Sequence, residues 1–377
     1  MAGIYLHVPF CKVKCHYCDF HFSVQLKNRS HLIEAMNHEL LLRKDFLDDQ
    51  RVKTIYFGGG TPSVIELDLL ESMLNTLHTT HQIDAKAEIT LECNPDDLTL
   101  EKLKGYRALG INRLSIGIQS FNDDVLQFMN RAHSSKQANT AVQMAQDIGF
   151  DNLTIDLIYG VPGSTLQSWE KELTRMNQLN IPHLSAYCLT IEENTVFGNW
   201  QKKGILKPFA DDESIKQFQF LIDYTHQLGM EQYEISNFAK QGYISKHNSA
   251  YWLGENYLGI GPSAHSYNGV ERGWNIANNT QYQKAIENGK AFYEVEKLSV
   301  QDRFNDYILT RLRTKWGVNL LELSQISSEM TNDMKPTLLT YIKEGALVMT
   351  NEVITLTPKG RFIADGISAD LFYTSDH

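Results

Sequence analysis

Short runs rich in β-branched and aromatic residues alternate with longer stretches of helical period through the first two-thirds of the chain. Ile4–Val8, Thr54–Phe57, Glu88–Glu92, Arg113–Gln119, Leu153–Tyr159 and His183–Leu189 read as strands, most of them running into Gly, Pro, Asn or Thr. Between them Leu32–Phe46, Leu67–Leu77, Leu98–Leu109, Lys136–Ile148 and Leu166–Leu179 repeat their apolar residues at helical spacing, as Leu32, Ile33, Met36 and Leu40 do in the first. Six strand–helix units in about 190 residues predict an α/β fold with a parallel sheet and crossover helices.

Polar residues gather where these strands end. The first runs into Cys11, the second into Gly58-Gly59-Gly60-Thr61-Pro62, the third into Glu92 and Asn94-Pro95. The fourth ends in Gln119-Ser120, and the fifth carries Asp156 before Gly160-Val161-Pro162-Gly163. An open doubly wound sheet concentrates its site at one switch point, whereas a barrel builds it from many strand ends. Contributions from five strands favour a barrel.

Of the five cysteines, Cys11, Cys15 and Cys18 fall within eight residues. An odd, clustered set is a poor disulfide framework and a good metal site. Four cysteines are the usual complement of an iron–sulfur cluster, so three leave one iron open to another chelate. Zinc normally wants a fourth Cys or His, and His16 lies too close in sequence to serve comfortably. Spacing favours iron–sulfur over zinc. Cys93 and Cys188 lie in β-rich runs and read as packing residues.

The Cys-x-x-x-Cys-x-aromatic-Cys pattern, with Tyr17 as the aromatic, resembles the radical S-adenosylmethionine (SAM) superfamily. That resemblance implies a partial (β/α)6 barrel and a 4Fe–4S cluster, held by Cys11, Cys15 and Cys18, whose open iron chelates SAM. Tyr5–Cys11, Gly58–Pro62, Gly117–Phe121 and Ile155–Gly163 further resemble the oxygen-independent coproporphyrinogen oxidase group, in order over about residues 4–270. By matching motif positions, Tyr5, Tyr17, Gly59, Gly60, Thr61, Glu92, Gln119, Arg131 and Asp156 become SAM contacts. Taken singly, a triple glycine is more often a turn, and a strand-end Asp or Gln a loop cap.

The group contains an oxidase and a haem-chaperone branch, the HemW type, and three features bear on the choice. Phe20 stands where the oxidase motif has a fourth cysteine. The first strand begins by Ile4, without the oxidase's long leading segment. His247-Asn248-Ser249-Ala250-Tyr251-Trp252 matches the H-N-x-x-Y-W motif of the chaperone branch. The resemblance then implies a haem carrier without coproporphyrinogen oxidation, delivering haem to respiratory haemoproteins. The oxidase, which decarboxylates propionates to vinyl groups, is the alternative. Imidazole is a common haem ligand and aromatic rings offer flat faces, so His247, Tyr251 and Trp252 become haem candidates, with His7 and His265 as competing ligands. The plain alternative is a buried aromatic cluster around a hydrogen-bonded histidine.

The formal charge of −10 argues against nucleic acid. Neither a secretory leader nor an apolar run long enough to span a bilayer is evident. These signs predict a cytoplasmic protein, with peripheral contact to a haem donor at the inner face of the membrane left open. The expected domains are 1–295, the barrel with its extension, and 296–377, a small winged-helix-like α+β module. That module's final 77 residues hold 8 Lys+Arg against 10 Asp+Glu, which suits a lid or docking role better than DNA binding.

Overall fold

The computed structural model describes residues 2–374 except 49 and 208. Strands β1 (Ala2–Val8), β2 (Val52–Gly59), β3 (Ile83–Cys93), β4 (Arg113–Gln119), β5 (Leu153–Tyr159) and β6 (His183–Cys188) pair in that order, all parallel. Helices α1 (Arg29–Leu42), α2 (Leu67–Thr80), α3 (Leu100–Ala108), α4 (Asp123–Phe128), α5 (Ser135–Asp147) and α6 (Leu166–Gln178) make the crossovers. Local chemistry sets these helices. Ser134 and Gln137 form a reciprocal capping box at the start of α5, and Ala138, Ala141, Val142 and Ala145 make its buried stripe. Thr165 and Ser168 do the same for α6, which buries Trp169, Leu173 and Met176.

Alternation along the strands separates two environments. Ile4, Leu6 and Val8 are fully buried in the main hydrophobic core, as are Leu114, Ile116 and Ile118 on β4. The alternate positions are polar. In register, Tyr5 lies beside Tyr56, Thr54 beside Glu88, Glu92 beside Ser115, and Asp156 beside Ser185. Thr54, Glu88, Thr90, Arg113, Ser115, Thr154 and Ser185 are all buried. A barrel interior filled only for packing is dominated by Val, Ile and Leu. This one is polar, the composition of a binding interior.

The sheet exceeds the six strands expected. After α7 (Val196–Lys202) and α8 (Asp211–Gln227), the short strands β7 (Glu231–Glu234) and β8 (Asn237–Ala239) add antiparallel beyond β6. Then α9 (Lys246–Trp252) leads into β9 (Asn256–Ile260), a seventh parallel strand on the other side of β1. Strands β10 (His265–Tyr267) and β11 (Glu271–Asn275), helix α10 (Asn279–Glu287) and strand β12 (Tyr293–Lys297) complete this extension. The result is one twelve-stranded sheet, order β12-β11-β10-β9-β1-β2-β3-β4-β5-β6-β8-β7, ending at β12 and β7.

A buried ion pair ties the extension to the barrel. Glu39 on α1 is fully buried beside Arg43, at 3.2 Å. Its carboxylate also accepts from the Gly261 amide at 2.8 Å, Asn275 Nδ2 at 2.8 Å and the Tyr282 hydroxyl. Arg43 in turn donates to the Gly259 carbonyl at 3.1 Å and to Ser266 Oγ at 3.0 Å.

The tail carries its own core of Phe304, Ile308, Leu312, Leu323, Ile354 and Ile367 among others. It comprises α11 (Val300–Leu312), β13 (Val318–Asn319), α12 (Leu320–Ile326), α13 (Ser328–Asp333), α14 (Lys335–Lys343), β14 (Leu347–Thr350), β15 (Val353–Leu356), α15 (Pro358–Arg361) and α16 (Ala364–Asp370). Strands β14 and β15 form a hairpin, turned at Asn351 and Glu352, both with positive φ. Strand β13 pairs with β15 to give a three-stranded antiparallel sheet among helices, the winged-helix-like arrangement expected.

Candidate functional site

The segment after β1 is a loop held at its neck. The Cys11 amide donates to the Ser23 carbonyl at 3.0 Å, and the Ser23 amide to the Pro9 carbonyl at 2.9 Å. Cys11, Cys15 and Cys18 on this loop are partly exposed free cysteines. Thr61 Oγ1 donates to Cys11 Sγ at 3.4 Å, and Arg131 Nη1 donates to Cys15 Sγ at 3.3 Å and to the Tyr17 hydroxyl at 3.4 Å. Arg131 is itself aimed by Asn94 Oδ1 at 2.6 Å and the Gly117 carbonyl at 2.7 Å. Asn94 Nδ2 also donates to Thr61 Oγ1 at 3.3 Å, so five of the expected site residues, Cys11, Cys15, Tyr17, Thr61 and Arg131, are linked through hydrogen bonds across four strand ends.

This donor set fits an iron–sulfur cluster. Cys11 and Cys15 each accept a hydrogen bond at sulfur, from a hydroxyl and a guanidinium respectively, which favours thiolate. Burial pushes the Cys11 thiol up to about 12 and Cys18 to about 11. Metal binding must therefore displace protons from them. Among the described residues no three His, Cys, Asp or Glu side chains are gathered tightly enough for a single metal ion. Each thiolate of an iron–sulfur cluster takes its own iron, so that tightness is not required of it. His16 is turned away: its Nδ1 meets the Phe128 carbonyl at 2.9 Å, and its ring packs edge-on against Trp200.

The glycine run approaches this loop closely. Gly60 donates to the Val8 carbonyl at 3.0 Å, and a Cβ there would sit 2.7 Å from the Phe10 backbone. Gly59 has φ +105, and a Cβ on it would strike the His7 ring. Gly59 also donates its amide to Glu92 Oε2 at 3.2 Å, and Tyr56 donates to Oε1 at 2.8 Å. Burial, opposed by those hydrogen bonds and reinforced by Asp156, pushes Glu92 up to about 7. Burial likewise pushes Asp156 up to about 6, against hydrogen bonds that include one from Ser115. Gln119 ends β4 at φ +67, a strained backbone of the kind that clusters at binding sites.

A cavity of about 540 Å³ opens above the barrel between the glycine run and the extension. It brings together Tyr5, Gly59 and Glu92 with His7, Tyr251 and His265, all singled out from sequence, and adds His21. Phe20, at the position of the missing fourth cysteine, is exposed on its rim. Thr61, Arg131, Gln119 and Asp156 lie outside that lining.

The histidine expected to meet haem iron is placed differently. His247 is buried at the N-terminal end of the barrel, where α9 acts as a plug. Its Nδ1 meets Thr54 Oγ1 at 2.8 Å, its Nε2 meets the Tyr251 hydroxyl at 3.0 Å, and its amide donates to Glu88 at 3.0 Å. The ring stacks on Tyr56 at 4.9 Å. Burial lowers it to about 3, so it is neutral. Both ring nitrogens are thus engaged by hydroxyl groups, Thr54 on one side and Tyr251 on the other. His7 is engaged similarly, through the His21 carbonyl at 2.9 Å and the Tyr5 hydroxyl at 3.2 Å. Tyr251 and Trp252 line a second cavity, beside α11.

Sequence reasoning passed over Tyr56, Asn94 and His21. Tyr56 carried a readable signal, since it shares the alternate face of β2 with Thr54 and Gly58. Asn94 was visible only as a strand-end residue, and His21 had none.

Residues 5–176 match the family model described as the radical SAM superfamily. The heme chaperone HemW of Bacillus subtilis (strain 168) is 32% identical over 97% of this chain and 98% of its own length. The heme chaperone HemW of Escherichia coli (strain K12) is 30% identical over 97% and 96% respectively. The solved structure of coproporphyrinogen III oxidase (HemN) from Escherichia coli superposes with a TM-score of 0.85 at 25% identity, covering 98% of this chain and 90% of that one. Superfamily membership implies a 4Fe–4S cluster and SAM as cofactors. No helix among the described residues is long and apolar enough to cross a membrane. With relatives matched from end to end and the thiol loop, glycine run and polar barrel in place, the chain belongs to the HemW family of the radical SAM superfamily.

Proposed function

We propose that the chain is a haem chaperone: it binds haem beside a SAM-ligated 4Fe–4S cluster and delivers the haem to respiratory haemoproteins. The observation that carries this reading is the end-to-end similarity to relatives named heme chaperones, at 32% identity in the Bacillus case. In this reading Cys11, Cys15 and Cys18 hold the cluster, with Thr61 and Arg131 donating to two of the thiolates. The cluster supplies an open iron that chelates SAM. Tyr5, Gly59 and Glu92 line the cofactor space, the Gly60 backbone shapes it, and Tyr17, Gln119 and Asp156 support it. Glu92 as a carboxylate suits ribose hydroxyls. Tyr251 and Trp252 provide aromatic faces for a porphyrin. The work is cytoplasmic, with haem received from a donor at the membrane.

Two measurements test the reading. Anaerobic reconstitution should load about four irons per chain, and Cys15→Ala should lose most of them; zinc in place of iron removes the cluster. The reconstituted protein should bind haem, and with SAM and reductant it should leave coproporphyrinogen unchanged. The second reading, an oxygen-independent oxidase, is favoured by the TM-score of 0.85 to that enzyme. Protoporphyrinogen formation would establish it and remove the chaperone assignment.

A further inference from the structure

Strand β4 does not end smoothly. Its pairing with β5 shifts register between Ile116 and Gln119, and Gln119 falls beside Leu157. The Ser120 amide donates back to the Ile118 carbonyl at 2.9 Å, which makes Gln119 the centre of a three-residue turn. With φ +67 at its centre, this is the rare and strained form of the γ-turn. A residue with a Cβ adopts it only where the surroundings impose it.

This turn aims a side chain at the thiol loop. A Cβ on Gly117 would lie 2.9 Å from Gln119 Nε2 and 3.4 Å from Arg131 Nη2. The Gln119 amide therefore folds back over Gly117, next to the guanidinium that donates to Cys15 and Tyr17. That amide has no hydrogen-bond partner among the described residues, which leaves a donor and an acceptor for a ligand.

Two sets of contacts impose the turn. Before its centre, Arg131 donates to the Gly117 carbonyl at 2.7 Å and His133 Nε2 meets the Ile118 carbonyl at 3.0 Å. After its centre, Glu172 of α6 holds both following residues. Its Oε1 accepts from Ser120 Oγ at 2.7 Å and its Oε2 from the Phe121 amide at 2.6 Å. Ser120 Oγ accepts in turn from the Asn122 amide at 3.0 Å, and Ser120 is buried. Hydrogen bonds to a carboxylate are roughly twice as strong as neutral ones, so this two-point grip suits a strained segment. Glu172 lines a third cavity, of about 650 Å³, among α4, α5 and α6, and not the one beside the glycine run. Its route to the cofactor space is the turn.

Resting on the reading of the β4 end as part of the SAM site, we propose that Glu172 is a positioning residue for SAM binding. It locks the γ-turn of β4 and so presents the Gln119 amide, beside Arg131, to the cofactor.

The test is calorimetric titration of SAM into the full-length, cluster-reconstituted protein, with iron content measured on the same samples. Glu172→Ala should weaken SAM at least about tenfold with iron per chain unchanged. Glu172→Gln, which keeps an acceptor for the Phe121 amide, should recover part of that loss. A double-mutant cycle with Gln119→Gly separates positioning from a general loss of stability. Glycine takes positive φ freely, so a turn centred on it needs no clamp. Gln119→Gly should itself weaken SAM, and adding Glu172→Ala should then cost less than about twofold more. Wild-type affinity in Glu172→Ala overturns the proposal, as does an equal cost of that substitution in both backgrounds. Where Glu172→Ala fails to fold, Glu172→Gln and Ser120→Ala carry the same comparison. Either overturning result leaves the SAM site itself standing, whereas a wild type that loads its iron and binds no SAM removes both.

Discussion

Glu92 faces two opposing demands. Its carboxylate is raised to about 7 chiefly by burial, so it is protonated below neutrality and ionised above it. If it accepts hydrogen bonds from the SAM ribose, affinity should rise through pH 7. A charged acceptor changes such a bond by about tenfold. Calorimetric titration of SAM into the reconstituted protein from pH 6 to 8 should show that rise, and Glu92→Gln should flatten it; a parallel profile in the variant removes Glu92 from the contact. The same group works against folding. An ordinary carboxylate of 4.5 is raised in the folded state, so the folded chain holds the proton more tightly than the unfolded one. Its contribution is fully present below about 4.5 and is lost as pH rises toward 7, on the order of 3 kcal/mol. Urea midpoints of the cluster-free chain should therefore fall across this window more in the wild type than in Glu92→Gln.

Helix α9 shows how an element legible as a sequence motif also serves the fold. The H-N-x-x-Y-W spacing puts His247 and Tyr251 one turn apart, and the structure uses that pair to plug the barrel floor through Thr54 and Glu88. His247 is depressed by burial from 6.5 to about 3, so the unfolded chain takes up a proton the folded one refuses. Its contribution is present above about 6.5 and is lost as pH falls toward 3. His247→Gln should lower the urea midpoint at pH 7.5 yet shallow its decline toward pH 5; an undiminished acid slope would show that other groups set it. The Glu39–Arg43 clamp acts at the same scale. Breaking a buried pair costs about 3–5 kcal/mol, so Glu39→Ala should destabilise the fold and open β9–β12 to limited proteolysis before the barrel. Strands β1–β6 are legible because their core-facing positions are apolar at alternate residues, as Ile4, Leu6 and Val8 are on β1 and Leu114, Ile116 and Ile118 on β4. Strand β10 has only three residues, too few for alternation. Strand β9 contains Gly259, which weakens a strand signal, and a Cβ there would lie 1.9 Å from the His265 carbonyl. The cysteine and glycine candidates are legible because each set lies within one short segment, Cys11–Cys18 after β1 and Gly58–Pro62 at the end of β2. The arginines that line the second cavity, Arg272, Arg303 and Arg311, come from β11 and α11, and only the stripe Arg303, Tyr307, Arg311 leaves a mark in the sequence.

At the scale of the whole molecule, two cavities of about 540 and 620 Å³ share a wall of Tyr251, Tyr257 and His265. One opens on the glycine run and Glu92, the other on the arginines of the tail. A side chain in a shared wall cannot be ordered by one ligand without changing what the other meets. Haem in the outer cavity would fix His265 and the tyrosines, and SAM in the inner one would then bind a surface already ordered, which is positive coupling. Coupling between binding sites is reciprocal, so the factor by which haem tightens SAM must equal the factor by which SAM tightens haem. Coupling free energies of about 1–3 kcal/mol correspond to roughly 5–150-fold. Measuring each affinity with the other site empty and then saturated gives both factors independently. Tyr257→Ala, which removes the middle of the wall, should bring both toward one while leaving iron content unchanged. Factors of one in the wild type would show that cofactor and cargo are held by separate machinery within one sheet.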